Sequence, residues 1–321
     1  MKKLLISSIA LLGLVLAGCS SHSSSSNSKS LSVGILQVVQ HGSLDEARQG
    51  FKAGLNQQLN AHDKSTKVTY HYLNAQGDQA NLNTMSQQLV QQKNDLLVGI
   101  ATPAAQALAK KTTTTPTLVT AVTDLKSAGL VKSNQQPNTN VSGTSDLTPV
   151  GLQLKLLASM SKGNKPLGIM YNSSEENSVL QVNLAKAYAK KHNLKLKVVS
   201  ATSTNDVTSV LAGLTGKVSG LYLPTDNLMA SAMKTIGQKA KTAKLPVVTG
   251  SIEMAEDGGT ATYGINYYDL GKQTGKMAYD VLVNHKKPQS MAVETSKKLH
   301  LYVNKANANS IGLATNQIKQ P

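Results

Sequence analysis

Two aspartates stand at the ends of apolar runs: Asp146 in VSGTSD and Asp226 in LPTDN. A carboxylate there can pair with an ammonium group, or it can cap the turn or helix that follows and offset its dipole. Thr102-Pro103-Ala104 reads as a helix start, with Thr102 as N-cap and proline at the first helical position. Free backbone N–H groups and the positive dipole end at such a start suit a carboxylate. Gln37 puts a polar group at the end of the first predicted strand. Together these groups fit a small molecule carrying both an ammonium and a carboxylate.

Catalytic patterns are missing from the sequence. There is no G-x-x-x-x-G-K-[ST] loop, no H-E-x-x-H, no G-x-S-x-G elbow and no G-x-G-x-x-G fingerprint. The seven histidines are dispersed without metal-ligand spacing. No enzyme, no metal and no cofactor is expected.

Cys19 is the only cysteine in 321 residues. It follows Lys2, Lys3 and an apolar run over residues 4–16, too short to span a bilayer as a helix but of the length of a secretory signal core. The run ends Leu16-Ala17-Gly18-Cys19, which resembles a bacterial lipobox. Residues 1–18 are therefore expected to be a lipoprotein signal peptide, with Cys19 the point of lipid attachment. Stable anchoring needs more than one acyl chain, as a multiply acylated cysteine would have. Residues 19–30 are serine-rich and read as a flexible tether. The formal net charge of +16 comes mostly from scattered lysines with almost no interleaved aromatic residues. Together with export, that pattern argues for a solvated surface and against nucleic acid as a partner.

From residue 32 the chain alternates strand and helix. SVGILQV is a strand. Residues 43–59 carry Leu44, Ala47, Phe51, Leu55 and Leu59 at helical spacing, with Ser43 and Glu46 as a capping box. Strands over 67–73, 95–101 and 117–121 follow, with helices between them. The second half repeats the plan: PLGIMYNSSEE stands where SVGILQVVQHGSLDE stood, SGLYLPTDNLMASAM where DLLVGIATPAAQALA stood, and TATYGINYYDL where NTNVSGTSDLT stood. Ser173 and Glu176 form a second candidate capping box. The fold class is α/β: two similar Rossmann-like lobes, residues 31–146 and 147–268, with parallel sheets and a cleft between them. Residues 269–321 are expected to supply a hinge-crossing helix and a segment completing the lobes. Ligands in open α/β sheets bind beyond the carboxyl ends of strands. The loops at 37–42, 101–104, 121–124, 143–146, 171–177, 224–227, 250–253 and 265–268 therefore matter most. They hold Ala104, Thr123, Tyr171, Thr225 and Asn266 besides the residues above.

The set NAQGD, IATPAAQALA, TAVTDLKSAGLVKS, VSGTSDLTPV, YNSSEENSV, LPTDN and YGINYYDLGKQTG resembles the substrate-binding lipoproteins of ABC importers, in the group that includes tryptophan/tyrosine-type binding proteins. The resemblance runs from Leu31 to about Asn304, and SIEMAEDGG is an unusual version of a variable segment. It implies a type I periplasmic-binding-protein fold and a monomer at the extracytoplasmic face of the cell membrane. It further implies an amino acid held between the lobes and delivered to an ABC permease with a cytosolic ATPase. Asn177 and Asn227 are carried as ligand contacts mainly on this resemblance. A tethered signalling receptor, or a binding protein for a nucleoside or another small amphipathic ligand, is the alternative. The chain has no tryptophan, one phenylalanine and ten tyrosines. Any aromatic stacking on a ligand falls to residues such as Tyr171, Tyr267 or Tyr268.

Overall fold

The computed structural model describes residues 30–296 and 298–321. The signal segment, Cys19 and the tether lie outside the described residues, except Ser30, which opens the first strand.

The first lobe is built from β1 (Ser30–Gln37), α1 (Gly42–His62), β2 (Lys67–Asn74), α2 (Gln79–Gln91), β3 (Leu96–Ile100), α3 (Thr102–Lys111), β4 (Thr117–Val122) and β5 (Val141–Ser145). The second holds α4 (Val150–Met160), β6 (Leu167–Tyr171), α5 (Glu176–Lys191), β7 (Leu196–Ser200), α6 (Thr204–Leu214), β8 (Gly220–Leu223), α7 (Asn227–Ser231), α8 (Met233–Thr242), β9 (Val247–Thr249), α9 (Ile252–Glu256) and β10 (Ala261–Gly264). Then come α10 (Tyr267–Leu282), β11 (Glu294–Thr295), β12 (His300–Val303) and α11 (Lys305–Ser310).

The sheet orders are β11-β5-β4-β3-β1-β2 and β12-β10-β9-β8-β6-β7. Adding five to each of β1–β5 turns one order into the other, so the repeat read in the sequence is the repeat of the fold. Strands such as LLVGI of β3 are buried along their whole length, because helices cover both faces. Every pairing in the first sheet is parallel. The second departs from the expected all-parallel pattern at β12, which pairs antiparallel with β10.

The helix over residues 43–59 extends to 42–62 and buries the expected face, with Phe51 fully enclosed. Neither capping box forms. His41 and Glu175 occupy the N-cap positions of α1 and α5 without a side-chain cap. Nor is Thr102 an N-cap: Ala101 holds that position at φ +78°, and Thr102 is the first helical residue.

Three segments pass between the lobes. One leads from β5 to α4, one from β10 to α10, and one from β11 to β12. The second carries α10 back onto the first lobe, where Leu270, Met277 and Ala278 join the core around Phe51. There α1 and α10 lie backbone to backbone. A Cβ at Gly50 or Gly54 would collide with the carbonyl oxygen of Tyr268 or Lys272, and one at Gly271 or Gly275 with that of Ala47 or Phe51.

Candidate functional site

The carboxyl ends of the strands face one another across a small cavity of about 20 Å³, room for about one water. His41, Ser43, Ala121, Thr123 and Asp146 line it from the first lobe, and Asn177, Thr225, Asp226, Asn227 and Ser251 from the second; Tyr267 adds its ring from the start of α10. A larger hollow of about 710 Å³ opens on the rim away from the crossing segments, between α2 and α3 on one side and the 202–204 loop on the other. Asn227 lines both. An amino acid can occupy the inner cavity only if the lobes part.

Hydrogen bonds close the gap. Thr225 Oγ1 accepts from Gln181 Nε2 at 2.6 Å and meets Thr123 Oγ1 across the gap at 3.3 Å. Asn227 commits its amide N–H to Glu175, leaving Oδ1 to accept from His41 Nε2 at 3.3 Å. Burial lowers the His41 pKa to about 4, so this histidine is a neutral donor. Gln106 Nε2 donates to Glu176 at 2.6 Å at the rim. Ser43, read from the sequence as a cap, instead reaches Ser251 Oγ at 2.9 Å and donates to Glu253 Oε2 at 2.9 Å. Ser43→Ala removes both contacts while leaving α1 uncapped as before. It is expected to weaken ligand binding roughly 2- to 10-fold, read by calorimetry, with a larger open fraction in solution scattering.

The acids of the site differ in what they do. Asp226 is the N-cap of α7 and accepts from Met229 N at 2.8 Å, Asn172 N at 2.5 Å and Ser178 Oγ at 2.7 Å. Both of its oxygens have partners within its own lobe. Burial, then the neighbouring Glu175 charge, pushes its pKa up to about 7. Glu175 is likewise occupied, by Asn172, Asn177 and Asn227. Asp146 is different. Its Oδ2 accepts from Tyr267 Oη at 2.6 Å, whereas its buried Oδ1 has no partner. Burial raises its pKa against the pull of the Tyr267 bond and of the nearby Thr123 hydroxyl. Across the cavity, the buried Oδ1 of Asn177 is also without a partner, its amide nitrogen being given to Thr225 O at 2.9 Å. Glu253, raised by burial as well, adds a further acid beside the cavity. Among the described residues the ion pairs are Arg48–Asp45 and Lys286–Asp280, neither of which neutralises these acids.

Thr123, Asp146, Asn177, Thr225, Asp226 and Asn227 are thus brought together. The other expected residues are elsewhere. Gln37 is buried in the first lobe, bonded to Val39 O and Asp45. Thr102 and Ala104 are buried in the first turn of α3, Ala104 within the core. Tyr171 packs against the second-lobe core at the end of β6. Asn266 is exposed and caps α10 by accepting from Asp269 N at 2.8 Å. Sequence reasoning missed His41, Ser43, Ser251 and Glu175 as site residues, although the loops at 37–42, 171–177 and 250–253 held three of them. It also missed Ala121, whose φ of +56° coincides with a register shift between β4 and β5. Such bulges and strained residues gather at functional sites. No three or more His, Cys, Asp or Glu side chains among the described residues are grouped so as to hold a metal ion.

Over residues 32–318 the chain matches the family described as ABC transporter substrate binding protein. It is 36% identical over 277 residues to the tyrosine-binding protein of Clostridioides difficile (strain R20291), a match covering 84% of this chain and 80% of that protein. It is similar to the crystal structure of an ABC domain in complex with L-Trp from Streptococcus pneumonia, at 38% identity and a TM-score of 0.82, covering 88% of this chain and 95% of the other. A ligand-free, open substrate binding protein with adhesive properties from Clostridium difficile is also 38% identical but superposes with a TM-score of 0.67, over 89% of this chain and 96% of the other. At equal identity the open relative fits less well, as expected for lobes that meet across so small a cavity. The two wound lobes are the type I periplasmic-binding-protein fold, and the family binds solutes rather than transforming them. The chain belongs to the family of ABC transporter substrate-binding proteins.

Proposed function

We propose that this protein captures an amino acid of the tryptophan or tyrosine class between its lobes and hands it to an ABC permease. Lipid on Cys19 tethers it at the outer face of the membrane. The observation that carries the reading is the pair of buried, unpartnered acceptors, Asp146 Oδ1 and Asn177 Oδ1, which line one cavity from opposite lobes. An ammonium offers several donors and a positive charge, which this acid-rich cavity lacks. An ammonium held by Asp146 and Asn177 at once links the lobes and favours the closed form. The L-Trp complex of one relative and the name of another support an aromatic amino acid. The wider hollow beyond Asn227 leaves space for the side chain as the lobes part.

Isothermal titration with L-tryptophan, L-tyrosine, indole-3-propionate and adenosine tests this. Both amino acids should bind one to one. Indole-3-propionate, which lacks the amine, should bind at least 100-fold more weakly. Equal affinity for the deaminated analogue, or preference for the nucleoside, would overturn the reading.

A further inference from the structure

We infer that Tyr267 is a positioning residue for ligand capture: its hydroxyl aims Asp146 at the ligand and ties that carboxylate to the segment leading into α10, so that occupancy of Asp146 is linked to the angle between the lobes. This rests on the reading that Asp146 receives the ligand ammonium.

The elements that flank two of the three crossing segments are tied together by buried polar contacts at three levels. On the first-lobe side, Thr144 Oγ1 meets Thr274 Oγ1 at 2.8 Å. On the second-lobe side, Gln153 Nε2 donates to Thr148 Oγ1 and to Tyr263 O, each at 3.1 Å. Between them lies the bond from Tyr267 Oη to Asp146 Oδ2 at 2.6 Å, joining residues 121 positions apart. The two outer braces are made by residues that do not line the cavity; both partners of the middle one do. The middle brace also leaves one carboxylate oxygen free. A ligand seated on Oδ1 therefore pulls on a group already bonded, through Oδ2, to the first residue of α10, directly after the segment that crosses between the lobes. A phenol here supplies one donor and fixes which oxygen stays open; phenylalanine would keep the packing and lose both effects.

The test is Tyr267→Phe, with the affinity for L-tryptophan measured from pH 4 to 9 by calorimetry. Asp146 must be ionised to hold an ammonium. Burial raises its pKa, and the Tyr267 bond, then the Thr123 hydroxyl, lower it. Losing that bond should move the acid limb of the affinity profile upward by roughly one pH unit. His41 and Asp226 face the same cavity, and Glu253 and Tyr222 lie within electrostatic reach of Tyr267. The tyrosine is neutral throughout this range, its pKa held well above the ordinary value by burial and by Asp146, so these neighbours titrate alike in both proteins. Thr274→Val serves as the comparison, because it loosens a brace without touching Asp146. It should lower affinity at every pH with no shift of the limb. A Tyr267→Phe profile that drops uniformly, like that of Thr274→Val, would reduce Tyr267 to a hinge contact and overturn the inference. Loss of amine selectivity in the wild-type protein would instead overturn the reading beneath it. If Tyr267→Phe does not fold, wild-type protein labelled with ¹³Cζ tyrosine decides the matter. The Tyr267 signal should move on saturation with L-tryptophan; an unmoved signal would overturn the coupling.

Discussion

Asp146→Asn is expected to weaken L-tryptophan binding by about 100-fold or more, with the fold intact. Breaking one partner of a buried, hydrogen-bonded charge pair costs about 2–5 kcal/mol, or roughly 30- to several-thousand-fold in affinity. Asparagine can still accept from Tyr267 through its carbonyl oxygen. It must then present its amide N–H groups where Oδ1 stood, facing the ligand ammonium. Stability should move the other way. Burial lifts the Asp146 pKa above its unfolded value, so its contribution is favourable below the unfolded value and is lost as pH rises through the folded one. Asparagine carries no such loss. The unliganded variant should therefore melt at or above the wild-type temperature at pH 8, and the difference should vanish near pH 3. Paired calorimetry and thermal melts check both halves. Wild-type affinity in the variant would remove Asp146 from the binding chemistry.

The largest effect on stability is expected at the seam between α1 and α10. Gly271→Ala puts a methyl against the carbonyl oxygen of Ala47 and the amide of Phe51. Those atoms belong to backbone and cannot rotate away. The helices must separate, which also opens packing around the fully buried Phe51. Overpacking of this kind costs about 3 kcal/mol, the upper end of its usual range, because no side chain can yield. For a chain of this size that corresponds to a fall in melting temperature of roughly 6–12 °C. Gly213→Ala, on a helix where an added Cβ meets nothing within 4 Å, should be neutral or slightly stabilising. Similar melting temperatures for the two variants would contradict this account of the seam.

The alternation of strand and helix and its repetition were legible because each half writes its strands as apolar runs, such as LLVGI and GLYL, separated by helices of matching period. Strands covered on both faces leave that trace whatever surrounds them. The edge strand β12 left a weaker one, and its antiparallel direction depends on a return path that local sequence does not encode. At the site, Asp146 and Asp226 could be found because they sit at strand ends, and Asn177 through the family resemblance. Their separate duties could not. Asp226 is a cap and Asp146 has an open oxygen, and only partners brought in from 54 and 121 residues away decide between these. Ser43 shows the same limit. Its S-x-x-E spacing is a good local signature, but the approach of Ser251 and Glu253 redirects the hydroxyl across the gap. Asn266 erred in the other direction: it ends a strand-end loop, yet its helix turns it outward.

The return of α10 to the first lobe has a consequence for how the chain is assembled. The face of α1 that holds Phe51 is covered by Leu270, Met277 and Ala278. A polypeptide emerging from its N-terminus cannot cover that face until residue 282 has been made, nor finish the lobe's sheet until residue 295. Contacts this distant in sequence form slowly, so the first half stays loose while the second is still being added. A thread that must pass a narrow pore before it hardens gains from such delay, and here the delay is written into the order in which the helices are strung.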